Sequence, residues 1–223
     1  VSVPILFALV AAGLVGWWLF ARQLTAKPWE KEQRLADNQF GAVGISVAPA
    51  RVGLWVFLAV VTSFFGLFIS AYWMRMMLAD WRPLHEPGLL WINTAMLVLS
   101  SFAFQWTSGA AGRGDSVRVK AGLAVAGLFA FAFLAGQLAA WRQLNESGEF
   151  LSSNAANAFF YLLTGVHGVH LLGGLTVWGR TSASMWQGGS ELGRIRLSVE
   201  LCAMYWHYLL LVWLVLFGLL LAT

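Results

Sequence analysis

Six stretches of this chain are apolar for long enough to cross a lipid bilayer, and that property confines the fold to membrane-spanning helices. A hydrocarbon core about 30 Å thick takes about 20 residues of helix. No water reaches that depth to satisfy backbone amides, so each stretch must pair its own. Five runs are clear, at 52–74, 89–106, 119–141, 155–178 and 197–221. A sixth, 3–20, precedes them. It has no basic residues ahead of it, and Trp17-Trp18 followed by Arg22 reads as an anchored interfacial end rather than a secretory leader. Composition agrees: 59% of the 223 residues are hydrophobic and only 11% charged, too few to cover a water-facing surface. The expected fold is all-α, a polytopic transmembrane helix bundle. Its parts are an N-terminal transmembrane helix (1–21), a cytoplasmic linker (22–51) and a five-helix core (52–223).

The distribution of basic residues sets an expected orientation. Arg22, Lys27, Lys31, Arg34 and Arg51 follow the first run. Arg113, Arg118 and Lys120 follow the third, and Arg180, Arg194 and Arg196 follow the fifth. Only Arg75, Arg82 and Arg142 lie on the opposite side. Basic loops stay in the cytoplasm, so both termini are expected outside, in the periplasm of a bacterial inner membrane. The same scatter argues against nucleic acid as a partner, because the net charge of +4 is gathered on no single face. Cys202 is the only cysteine and lies in an apolar run, which excludes an intrachain disulfide.

The loops within the core are short, so any chemistry belongs to the helices or to a partner. Eight of the 13 tryptophans (Trp17, Trp18, Trp55, Trp73, Trp91, Trp106, Trp141 and Trp178) fall near predicted helix ends, as an interfacial belt requires. Ionisable groups inside a span are costly and need partners. His167 and His170 lie in the fifth run, Glu200 and His207 in the sixth. Seven residues of helix return to nearly the same face, so Glu200 and His207 share a stripe. Asn157, Tyr161, Thr164, Gly165 and Gly168 form a strip where a neighbouring helix can approach closely. The last two runs are therefore expected to pack together, with an imidazole of His167 or His170 bonded to Glu200. Asn93, Thr94, Ser100, Ser101 and Gln105 repeat the pattern in the third run, and Gln137 adds to it in the fourth. Three uses remain open for the histidines: bonds between helices, a proton or ion relay, or ligation of haem or metal. His-x-x-His alone is a weak ligand signature, and no Cys-x-x-Cys-His or His-Glu-x-x-His run accompanies it.

Particular residues carry a family resemblance. Phe159-Phe160-Tyr161-Leu162-Leu163-Thr164-Gly165-Val166-His167-Gly168-Val169-His170, followed by Gly173-Gly174, resembles the signature helix of cytochrome c oxidase subunit III. Val199-Glu200, Tyr205-Trp206-His207-Tyr208 and Val212-Trp213-Leu214 resemble the family's last helix, and Asn93-Thr94 with Ser100-Ser101 another. The resemblance covers roughly 52–222. It implies a non-redox accessory subunit of a proton-pumping haem-copper oxidase that reduces oxygen to water with electrons from cytochrome c. Haem and copper would then sit in partner subunits, with subunit I a direct contact and subunit II another partner. This chain would carry no catalytic, cofactor-binding or metal-binding residues, hold phospholipid, and sustain proton uptake. Its His167, His170, Glu200, His207, Asn93, Thr164 and Tyr205 would form a structural polar network. The sequence departs from the family where many members carry a glutamate near Val61 and an aspartate near Leu210. It also has five core helices and one divergent N-terminal run where longer members have seven helices, which resembles a short bacterial branch. Rival readings are the accessory subunit of a nitric oxide reductase or quinol oxidase, or an independent proton or ion transporter.

Overall fold

The computed structural model describes residues 49–78, 81–82, 88–150, 154–187 and 192–222. The run at 3–20 and the linker up to residue 48 lie outside them. Five helices follow one another: α1 (Pro49–Met76), α2 (Leu89–Gly112), α3 (Ser116–Glu146), α4 (Ala155–Gln187) and α5 (Leu192–Leu221). All five are long and apolar enough to span a membrane. No strand occurs among the described residues, and the molecule is an all-α polytopic bundle.

The helices outrun the apolar segments that announce them. α1 starts three residues before the apolar run, at a proline whose fixed φ and missing N–H suit a first helical position. α4 continues nine residues past Trp178, giving 33 residues and a length of about 50 Å at 1.5 Å per residue. The excess lies beyond the hydrocarbon core or is taken up by tilt.

A tight turn makes α2 and α3 antiparallel neighbours. Gly114 takes the left-handed conformation (φ 72°) just past α2. The amides of Gly114 and Asp115 return to Ala111 O and Ala110 O, satisfying carbonyls that the helix end leaves open. Asp115 then caps α3, accepting a hydrogen bond from the amide of Arg118 at 3.0 Å. One residue thus closes one helix and opens the next. Gly148 (φ 84°) ends α3 in the same way, with Glu149 N bonded to Leu144 O.

α2, α3, α4 and α5 form a closed ring in which each packs on the next and α5 returns to α2, while α1 lies outside on α4 and α5. The ring encloses Leu97, Phe104, Leu123, Phe133, Phe160, Leu171, Trp206 and Trp213. A second cluster seats α1, with Val61, Phe65 and Tyr72 against Leu163, Val212 and Leu216. Lipid tails are as apolar as leucine, so close packing rather than water exclusion holds these helices together. Glycine permits it at four points. Gly122 lies under Thr107, Gly127 under Trp178, Gly136 under Asn93, and Gly174 under Tyr205 and Trp206. The strip expected to bring the last two helices together works elsewhere. Gly165 faces Trp141 of α3, a methyl added at Gly168 would meet nothing within 4 Å, and the α4–α5 approach is made at Gly174.

Candidate functional site

The polar side chains inside the bundle divide into pairs that tie neighbouring helices. At the α2–α5 seam His207 is held at both ring nitrogens. Gln105 Oε1 lies 2.9 Å from Nε2 and Ser101 Oγ 2.5 Å from Nδ1. A carboxamide oxygen only accepts, so Nε2 donates to it, while Nδ1 shares a hydrogen bond with the Ser101 hydroxyl. A turn and a half further along, Trp213 Nε1 donates to Thr94 Oγ1 at 2.9 Å across the same two helices.

α3 is bound to both of its neighbours. Ser100 Oγ donates to Ala126 O at 2.9 Å, and Asn93 Nδ2 reaches Gln137 Oε1 at 3.4 Å. On the other side Trp141 Nε1 donates to Thr164 Oγ1 at 3.1 Å, while Thr164 returns its own proton to Phe160 O. Trp178 Nε1 donates to Leu123 O at 2.9 Å. Two tryptophans expected in an interfacial belt are therefore also struts between α3 and α4. Trp55, Trp73, Trp91 and Trp106 remain exposed, as a belt requires. At the polar end of α4, Asn157 donates to Glu149 at 2.5 Å.

The other two helix-borne histidines differ from each other. His170 Nδ1 is bonded to Val166 O in its own helix, and its backbone carbonyl accepts from Tyr205 Oη at 2.9 Å. Phe57 and Phe65 of α1 flank its ring. His167 is completely buried, 5.9 Å from Phe133 and 5.3 Å from Trp213 between ring centres. Neither of its nitrogens has a hydrogen-bond partner among the described residues. A buried polar group without a partner gives nothing back for its desolvation. His167→Leu is therefore expected to leave the thermal stability of the purified chain within about 1 kcal/mol of the parent, or raise it. A loss beyond about 2 kcal/mol would show that the imidazole makes a bond worth keeping.

The bond expected between Glu200 and an imidazole is not formed. Glu200 accepts instead from Arg51 Nη2 at 2.5 Å and Arg196 Nε at 2.9 Å. Register explains the difference. Tyr205 meets the carbonyl of His170, and His167 lies level with Trp213, so both histidines sit about 7 Å or more along α5 from Glu200 at 1.5 Å per residue. His207 shares the stripe but turns to α2. The Glu200 triad is a partly exposed ion pair set, worth about 0.2–1 kcal/mol per pair, and it ties α1 to α5. Arg196 stands four residues before Glu200, a spacing legible in the sequence. Arg51 reads there as one more loop charge, and nothing local points to its partner.

Among the described residues no group of three or more His, Cys, Asp or Glu side chains converges as a metal site. What the fold and its polar pairs define is a multi-pass α-helical membrane protein whose intramembrane polar side chains link one helix to the next. The family model for cytochrome c oxidase subunit III matches residues 38–221. The chain belongs to that family. Among curated relatives it is 34% identical to a probable cytochrome c oxidase subunit 3 of Mycobacterium bovis over 128 residues, 56% of this chain and 61% of that protein. A probable cytochrome c oxidase subunit 3 of Nocardia farcinica is 32% identical over 178 residues, 75% of this chain and 84% of the relative. The cytochrome c oxidase subunit 3 of a Synechocystis species is 30% identical over 189 residues, 81% and 73% of the two chains. The match to the mycobacterial protein thus spans less than two thirds of its length.

Proposed function

We propose that this chain is the non-redox accessory subunit of a proton-pumping haem-copper terminal oxidase that reduces oxygen to water with electrons from cytochrome c. It packs against subunit I, belongs to one assembly with subunit II, binds phospholipid, and supports sustained proton uptake. The observation that carries this reading is the family match over 38–221. The state of the histidines supports a non-ligating role. Both nitrogens of His207 are engaged, one nitrogen of His170 is bonded within its own helix, and His167 is enclosed by aromatic rings. Haem and copper then belong to partner subunits.

Lipid binding draws support from a cavity of about 420 Å³ between α1, α4 and α5, lined by Leu54, Phe57, Gly173, Val177, Cys202 and Tyr205. Arg51 and Glu200 adjoin lining residues Ala50 and Leu201 at one end, and two arginines against one carboxylate leave a net positive charge there. An acyl chain suits the apolar wall and an anionic headgroup the arginines. Arg51, Arg113, Arg118 and Arg196 all fall at the helix ends on one side of the bundle, which supports a cytoplasmic face there and an outward C-terminus in a bacterial inner membrane.

Gentle detergent extraction followed by native mass spectrometry tests this reading. The chain is expected to travel with a haem-bearing subunit and to retain phospholipid, and the chain separated from its partners is expected to show no haem absorption. Stoichiometric haem on the separated chain, ligated by two histidines, would overturn the proposal.

A further inference from the structure

The two halves of α1 are attached to the bundle in different ways. From Val61 onward the helix is seated by packing. Val61, Phe65 and Tyr72 are buried against Leu163, Val212 and Leu216, with Phe68, Ile69 and Met76 beside them. Before Val61 the one buried side chain of α1 is Leu58. Phe57 leans on Tyr205 and His170, at 6.1 and 6.4 Å between ring centres, and stays half exposed. Behind this half lies the cavity of about 420 Å³, bounded on the α1 side by Ala50, Gly53, Leu54 and Phe57. A methyl group added at Gly53 would meet nothing within 4 Å. At the start of the helix, Arg51 reaches across to Glu200 of α5.

The boundary between the halves is suited to bending. Thr62 Oγ1 and Ser63 Oγ donate to Leu58 O and Ala59 O, at 2.7 and 3.0 Å, one turn back in the same helix. A hydroxyl bonded to the carbonyl four residues earlier weakens the helix there and favours a bend. Two such bonds stand side by side, and Gly66 follows within a turn. The Thr62 hydroxyl also meets Tyr208 Oη at 2.9 Å, which pins the bend to α5.

We propose that residues 49–60 of α1 form a gate over this cavity, hinged at Thr62–Ser63 and latched by Arg51 and Glu200, and that an acyl chain enters sideways when the gate swings out. The occupant rests on the lipid reading above; the gate adds its route of entry. The latch suits that use. Its side chains are partly exposed (44% and 25%), and an ion pair in that setting biases an equilibrium by only about one- to fivefold. Swinging out brings apolar side chains into lipid, which receives them as well as the cavity wall does. The seat beyond Val61 stays intact.

Cys202 reports on the gate, because it is the only cysteine in the chain and lines the cavity while itself buried. The full chain in lipid bilayers is treated with N-phenylmaleimide, an apolar reagent, and modification of Cys202 is timed by mass spectrometry. The parent is expected to label slowly, Arg51→Gln about two- to fivefold faster, and Arg51→Lys as the parent does. Arg196→Gln takes the same charge from the same carboxylate without untying α1, since Arg196 belongs to α5, and is expected to label at the parent rate. All three variants are expected to keep the parent's unfolding temperature. An unchanged rate for Arg51→Gln would overturn the gate, as would an equal rise with Arg196→Gln or a rise that tracks a fall in unfolding temperature. Parent labelling as fast as that of the denatured chain would also overturn it, by showing a cavity that stands open. Native mass spectrometry reads the occupant separately: labelling as expected on a chain that retains no phospholipid would support the gate and overturn the acyl chain.

Discussion

Gly174→Val is expected to destroy the bundle or to cost about 3 kcal/mol or more, at the upper end of overpacking penalties. A side chain at this position would begin 2.7 Å from Tyr205 Cε1 and 2.8 Å from Trp206 Cζ3, well inside contact distance. Each ring is held in place by a further contact. Trp206 is fully buried and lies 4.3 Å, centre to centre, from Phe104 of α2, so moving it displaces a third helix. Tyr205 is held through its hydroxyl to the carbonyl of His170. The α4–α5 spacing is thus set from both sides. Gly173 supplies the comparison, since a methyl there would meet nothing within 4 Å. Thermal unfolding in detergent should separate the neighbours, with Gly173→Ala near the parent and Gly174→Val far below it. Equal stability of the two variants would show that the helices can part without loss.

Removing the indole of Trp213 is expected to cost nearly as much, about 3–5 kcal/mol for Trp213→Ala. The ring is fully buried, meets Phe133 edge-on at 4.9 Å and stacks on Phe217 at 6.3 Å. Its Nε1 also binds Thr94, so truncation opens a void in the ring of helices and leaves a hydroxyl of α2 without its donor. Trp213→Phe keeps most of the volume and loses the bond. Bonds between membrane helices average about 0.6 kcal/mol, so this variant should lie much closer to the parent. Chemical denaturation of the purified chain reads both. A loss below about 1 kcal/mol for the alanine variant would mean that the neighbours collapse into the space.

The intramembrane polar side chains differ in how far the sequence names their partners. Asn93, Thr164, Tyr205 and His207 are all engaged in bonds between helices. Glu200 serves a different purpose from the one its stripe suggests, because α1 brings Arg51 to it and a full charge close by outcompetes a neutral ring at another level. His167, the centre of the signature helix, has no hydrogen-bonded partner among the described residues. Trp141 and Trp178 read as belt in the sequence and Trp213 as part of a family motif, and only their neighbours reveal that each indole donates across a seam.

Hydropathy runs along the chain and is set against one external length, the thickness of the bilayer. The sequence by itself therefore determined that this protein spans a membrane, which five core segments do so, and which family's signature they carry. Rotation of each helix about its axis, and its offset along a neighbour, answer to no such ruler. They are settled by whether Gly174 clears Tyr205 and by which ring fills the space beside Phe133, contacts between residues dozens of positions apart. Only the packed structure could assign Glu200 to its arginines and turn His207 toward α2.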